Sequence, residues 1–180
     1  MTDSVLLIID AQQSFYHRGY LEAPETPAFE LVLSQLADGC RAKGIPIVDI
    51  LHVESEGAFA AGSGLVVRLP FLQHQAAATF RKTVHNALTD SGLQQWLEQR
   101  QVKHVIISGL RTEQCCETTA RVASDFGYRV TFVTEATLTF PLTHNGMTLS
   151  IADLRHRTES VLIDRFAAIR RVDDCLQELT

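Results

Sequence analysis

Long apolar runs are missing from this chain. The longest, "VLLII" near the N-terminus, stops at Asp10 and falls far short of the ~20 residues a membrane-spanning helix needs. The opening "MTDSVLLII" puts no basic stretch ahead of its apolar residues, so no secretory leader is expected. No stripe of Lys and Arg interleaves with aromatics: Arg81-Lys82 and Arg170-Arg171 stand alone in a chain of net charge −5, which argues against nucleic acid as a partner. Cysteine is scarce. Cys40, Cys115, Cys116 and Cys175 are unevenly spread and read as free thiols of a reducing compartment, so the expected location is cytoplasmic. The "GSG" at 62–64 follows no strand closely and opens no clear helix, so no phosphate loop and no nucleotide are implied. No repeat and no interior linker divides the 180 residues, and one domain over 1–180 is expected.

What is there is an alternation of apolar strands and amphipathic helices. "VLLIID" (5–10) reads as a strand buried on both faces. "QSFYHRGYLEAPETP" reads as a loop. Residues 28–44 carry helical spacing at Phe29, Leu33 and Leu36, with Gly44 at the end. Residues 45–53 form a second strand. Residues 54–81 are glycine-rich and irregular, a length more often functional than structural. A helix over 91–100 has Ser91 as its N-cap candidate. "HVIISG" (104–109) and "RVTFVT" (129–134) are strands flanking a helix over 115–128 that closes at Gly127. A long helix over 150–167 and a short strand over 168–172 finish the chain. This pattern predicts an α/β fold: a three-layer, doubly wound, Rossmann-like and mostly parallel sheet of about six strands. Reactive groups in such sheets gather at the carboxyl ends of strands. That directs attention to Asp10, to Lys82 and to the turn after Gly109.

The turn after Gly109 raises the sharpest question, because it carries two adjacent cysteines at the head of a helix. A helix N-terminus stabilises a thiolate. Against that, free cysteine is among the most buried residue types. Residues 115 and 116 point about a third of a helical turn apart, so they cannot share one role, and adjacent cysteines rarely bridge. Spacing alone does not choose between them. Asp10 could equally be an ordinary strand-terminal acid, and Lys82 an ordinary surface lysine. Brought together they would differ: Lys82 would stabilise a thiolate and Asp10 could take the thiol proton.

"LLIIDAQQSF", "FRKTVHNALTDSGL" and "VIISGLRTEQCCETTARVASDFGYRVTFVTEA" occur in this order. Asp10 with Gln12, Lys82 with Asn86-Ala87-Leu88, and Gly109, Thr112 and Cys115 with Thr119-Ala120 together resemble the isochorismatase-like cysteine hydrolases, over about residues 5–173. The resemblance implies an Asp10–Lys82–Cys115 triad. It puts the nucleophile at Cys115, with Cys116 in a place usually held by a small apolar residue. It also implies a cis peptide between Leu110 and Arg111, and an oxyanion hole from the backbone N–H groups of Arg111 and Cys115. A homo-oligomer acting on a small molecule is implied as well.

Two departures bear on the substrate. The family's nicotinamidases carry a metal site of the form Asp-x-His followed by a further His. This chain reads Asp49-Ile50-Leu51-His52 with Glu54 nearby, so no metal and no cofactor are expected, and His52 becomes a pocket-lining candidate. Relatives usually have a small or apolar residue where Arg111 stands. Its guanidinium could fork onto a substrate carboxylate or pair with Glu113 or Glu117. Phe15 is a candidate for the pocket wall, and Phe140-Pro141 and His144 are softer ones. The leading function is a metal-independent cysteine hydrolase of a small linear or cyclic amide through a thioester. One alternative is an isochorismate-like vinyl ether hydrolase, with Asp10 as proton donor. The other is a non-catalytic, redox-responsive thiol protein.

Overall fold

The computed structural model describes residues 3–18 and 22–179. Its centre is β1 (Ser4–Ile9), with every residue buried. Alternation along a strand sends successive side chains to opposite faces. Leu6 and Ile8 accordingly pack in one core with Phe29, Leu33, Leu36 and Cys40 of α1 (Thr26–Ala42). Val5, Leu7 and Ile9 pack in a second core on the other face. That core takes Leu93 and Leu97 of α2 (Leu93–Gln99), Ala120 and Ala123 of α3 (Glu117–Asp125), and Leu162 of α4 (Ile151–Leu162). The expected three layers follow from these two cores.

The other strands are β2 (Ile47–His52), β3 (Ala78–Lys82), β4 (His104–Leu110), β5 (Arg129–Leu138) and, after a separate hairpin, β8 (Ala168–Ile169). They form one six-stranded sheet in the order β3-β2-β1-β4-β5-β8, every pair parallel. The chain fills one side of β1 first and then crosses to the other. The switch therefore falls between β1 and β4, where an open parallel sheet places its ligand crevice. Gly109 pairs there with Ile9 at φ +114, and a Cβ on it would sit 1.9 Å from the Ile9 carbonyl oxygen. Only glycine lets the two strands meet this closely just before the cysteine turn.

Several boundaries differ from the sequence expectation. The segment after Asp10 contains a 3₁₀ helix, Gln13–Arg18, and residues 19–21 of the expected loop lie outside the described residues. The irregular stretch 54–81 ends in β3, which packs only one side of itself against a neighbouring strand and so carries no continuous apolar run. The cap of α2 falls on Gly92, while the Ser91 hydroxyl accepts from the Leu93 N–H at 3.1 Å. The helix expected over 115–128 starts as a π-helical turn, Thr112–Cys116. β5 runs four residues further than expected, to Leu138. The α4 helix stops at Leu162 because Ile163 leaves the helical region and Asp164 adopts φ 59. The hairpin β6 (Leu142–His144) and β7 (Met147–Leu149) and the last helix α5 (Val172–Glu178) were not expected. Among the described residues, no helix is long and apolar enough to cross a membrane.

Candidate active site

Three strand ends converge at the carboxyl edge of the sheet. Asp10 leaves β1 with φ 52, and its N–H donates to the Ile50 carbonyl at 2.8 Å. Lys82 is the last residue of β3, two strands away, and its side chain is wholly buried. It crosses the end of β2, where its Nζ donates to Asp10 Oδ2 at 2.9 Å, to His52 Nδ1 at 3.1 Å and to Cys115 Sγ at 3.4 Å. The other carboxylate oxygen, Asp10 Oδ1, is buried with no hydrogen-bond partner at normal distance among the described residues.

The turn that carries Cys115 is held from three sides. The Leu110–Arg111 peptide is cis, and the Arg111 carbonyl accepts from both Gln114 and Cys116 N–H, at 3.1 and 3.2 Å. The Thr112 and Thr137 hydroxyls meet at 2.7 Å, tying the turn to β5. Buried Glu117 accepts from Arg121 at 3.0 Å, from the Thr158 hydroxyl at 3.1 Å and from Arg157, tying α3 to α4. The adjacent cysteines part ways. Cys115 lines a pocket, whereas Cys116 is fully buried in the core with its Sγ toward the Ser108 carbonyl at 3.8 Å.

Electrostatics set the resting protonation. The Cys115 thiol is pushed up to about 12 by burial first and by the Asp10 charge second, with Lys82 opposing. The sulfur therefore rests as a thiol. Burial and the Asp10 carboxylate outweigh the Lys82 charge that would favour a thiolate. Burial pulls the Lys82 ammonium down, but the Asp10 carboxylate and Cys115 outweigh it and the net direction is up. Lys82 is therefore an ammonium near neutral pH. His52 is lowered by burial and then by Lys82, so its ring is neutral near pH 7.

The pocket above these groups measures about 150 Å³. Phe15, His52 and Arg111, the residues expected to bind substrate, all line it. Phe15 stands edge-on to Phe59, ring centroids 5.1 Å apart. The Arg111 guanidinium pairs with Glu113 at 3.1 Å, donates to the Phe140 carbonyl at 3.2 Å and lies over the Phe140 ring. Of the two readings of Arg111, the geometry has the glutamate pair. Phe140 is thus a support for Arg111, and His144 sits exposed in the hairpin. Sequence reasoning passed over Phe59, His85 and Gln114, which also line the pocket. His85 follows Lys82 by three residues, the one signal that could have marked it.

The chain belongs to the isochorismatase family: the Isochorismatase domain matches residues 4–164. It is a hydrolase of that family. It is 32% identical over 137 residues to a secreted isochorismatase effector, Isc1, of Verticillium dahliae, covering 74% of this chain and 72% of that one. It is 26% identical over 176 residues to the nicotinamidase of Escherichia coli, covering 75% and 83%. The crystal structure of an isochorismatase-like protein of Burkholderia xenovorans LB400 superposes with a TM-score of 0.90 at 25% identity, over 98% of this chain and 87% of that one.

The metal pattern of family nicotinamidases does not fit these residues. Asp49 and His52 lie on opposite faces of β2 by strand alternation. The Asp49 carboxylate is engaged by Arg68 at 3.1 Å and His74 at 2.8 Å, and His52 Nδ1 is engaged by Lys82. Among the described residues, no group of three or more His, Cys, Asp or Glu side chains could hold a metal ion.

Proposed function

We propose that the protein is a cysteine amidohydrolase that cleaves the C–N bond of a small amide through a thioester on Cys115, with Asp10 and Lys82 completing the triad and no metal taking part. The observation that carries this reading is Lys82 Nζ, buried and held between Asp10 Oδ2 and Cys115 Sγ, both of which line the pocket. Asp10 Oδ1 takes the thiol proton as Sγ bonds to the amide carbon. The carbonyl oxygen becomes an oxyanion facing the backbone N–H groups of Arg111 and Cys115; one such donor is commonly worth roughly a hundredfold in rate. Asp10 returns the proton to the leaving nitrogen, the C–N bond breaks and the amine departs. Asp10 then deprotonates water, which attacks the thioester. The acid leaves, and Cys115 recovers its proton. Lys82 keeps its charge throughout and holds both partners in register.

The relative named for nicotinamide supports an amide substrate, and the thiol in the pocket supports it further. A vinyl ether hydrolase would need Asp10 as acid and no sulfur. A redox sensor built on vicinal thiols would need both sulfurs accessible, and Cys116 is enclosed. A panel of small amides tests the reading on wild type and Cys115→Ala. Hydrolysis should fall by roughly a thousandfold or more in the variant while the melting temperature stays close to wild type. Unchanged amide turnover in Cys115→Ala would sink it. Retained cleavage of a vinyl ether by the same variant would instead point to the Asp10 chemistry.

Two further parts of the proposal concern context. The exposed apolar side chains of the hairpin, Leu142, Met147 and Leu149, support a homo-oligomer, which light scattering checks. The four free cysteines support a cytoplasmic location, although the Verticillium relative is named as secreted.

A further inference from the structure

Lys82 fixes the tautomer of His52. An ammonium has three N–H donors and no acceptor. The three partners of Lys82 Nζ are Asp10 Oδ2, His52 Nδ1 and Cys115 Sγ, at 2.9, 3.1 and 3.4 Å. Nδ1 must therefore present its lone pair to Lys82, and a neutral ring then carries its only proton on Nε2. The mounting of this ring is stiff. Gln12, fully buried, accepts from the His52 N–H at 2.7 Å and donates to the His52 carbonyl at 3.0 Å. Phe59 packs edge-on to the imidazole, ring centroids 6.2 Å apart. Nε2 turns toward Glu54, another pocket residue, whose Oε1 is 3.9 Å away and beyond hydrogen-bond reach.

We propose that His52 is a specificity-determining, substrate-binding residue, whose Nε2–H donates to an uncharged acceptor atom on the substrate away from the bond that is cleaved. The substrate class is then a small neutral amide with a second, neutral acceptor, such as a ring nitrogen or a carbonyl oxygen. A carboxylate at that place would meet the Glu54 carboxylate, and the Arg111 charge that could have welcomed it is matched by Glu113. Size agrees: a cavity of about 150 Å³ accepts a group about as large as benzene. The inference rests on the amidohydrolase reading for the identity of the cleaved bond, but the tautomer and the acceptor preference do not depend on turnover.

Two measurements on the intact protein test it. A ¹⁵N spectrum of the histidine rings should show His52 protonated at Nε2 and bare at Nδ1. Separately, benzamide and the three pyridinecarboxamides should be compared as protectors of Cys115 against iodoacetamide. At least one ring-nitrogen isomer should protect about three- to tenfold better than benzamide, the usual effect of one hydrogen bond. His52→Asn keeps an acceptor for Lys82 but loses the distal donor, so the preference should vanish. His52→Gln places an amide N–H near the Nε2 position and should keep part of it. A proton on Nδ1, equal protection across the wild-type panel, or an undiminished preference in His52→Asn overturns the proposal. If His52→Asn does not fold, the wild-type spectrum and panel still decide. Isomers that protect without being hydrolysed would uphold this inference independently of the hydrolysis reading, which the amide panel on Cys115→Ala decides.

Discussion

The two ends of the sheet treat buried polar groups in opposite ways. At the amino end, His104 opens β4 and both its ring nitrogens are matched, by the Ser4 hydroxyl at 3.0 Å and the Thr131 hydroxyl at 2.8 Å. At the carboxyl end, His52 closes β2 with one nitrogen matched, and Asp10 keeps one oxygen without a partner. Both ends carry a histidine on strands of the same sheet, His104 buried and His52 half-buried. The difference is that both ring nitrogens of the first histidine are answered within the protein, and the second cluster is left incomplete beside a pocket. Unanswered buried polar atoms cost stability, so they persist where a ligand or a proton completes them.

The contrast can be pressed hardest at Asp10. Asp10→Asn removes the proposed base and should cut amide hydrolysis by roughly a hundredfold or more. The same change removes one of the charges that hold the Cys115 thiol protonated. Alkylation of Cys115 by iodoacetamide near pH 8 should therefore rise while hydrolysis falls. If the two rates fell together, the loss of Asp10 as proton acceptor would outweigh the loss of its charge in alkylation as well as in hydrolysis.

The closed end should answer in stability instead. Burial, then Arg129, push His104 down to about 4. A histidine held neutral in the fold but protonated when unfolded stabilises the protein above its unfolded pKa. That contribution is lost as pH falls from about 6.5 through about 4. The loss amounts to at most about 3 kcal/mol, less what solvent screening removes. Urea denaturation across that range checks it, and the acid slope should shrink in His104→Gln. Hydrolysis per folded molecule should be unaffected in that variant. The smallest effect is expected at Cys116→Ala, which loses a core sulfur: about 1 kcal/mol of stability and activity within about twofold of wild type. A large loss of turnover there, with stability intact, would give the second cysteine a role in chemistry.

How far these features could be read from residues alone depends on how each is buried. β1 and β4 are buried on both faces, so continuous apolar runs announce them. β3 alternates exposed and half-buried residues at the sheet edge, and "ATFRK" says nothing decisive. The last helix was legible in retrospect: Val172, Cys175 and Leu179 repeat at helical spacing, and they pack against the α1 side of the sheet. At the site, alternation and the strand-end rule point to Asp10 and to the turn after Gly109. Lys82 looks like a surface charge until the fold brings it, 72 positions along the chain, against Asp10. His85 and Gln114 reach the pocket from loops, whose paths carry no periodic signal. The engagement of Arg111 by Glu113 and Phe140 depends on side-chain orientation, which spacing does not encode.

The central claim is that one sulfur, at Cys115, forms the covalent intermediate. Acid-quenching the enzyme during turnover of an amide it hydrolyses, then mapping peptides by mass spectrometry, tests this directly. The account expects the acyl group on Cys115, none on Cys116, and its disappearance when substrate is exhausted. Steady hydrolysis with no acyl adduct on Cys115, under a quench fast enough to trap a thioester standard, would contradict it.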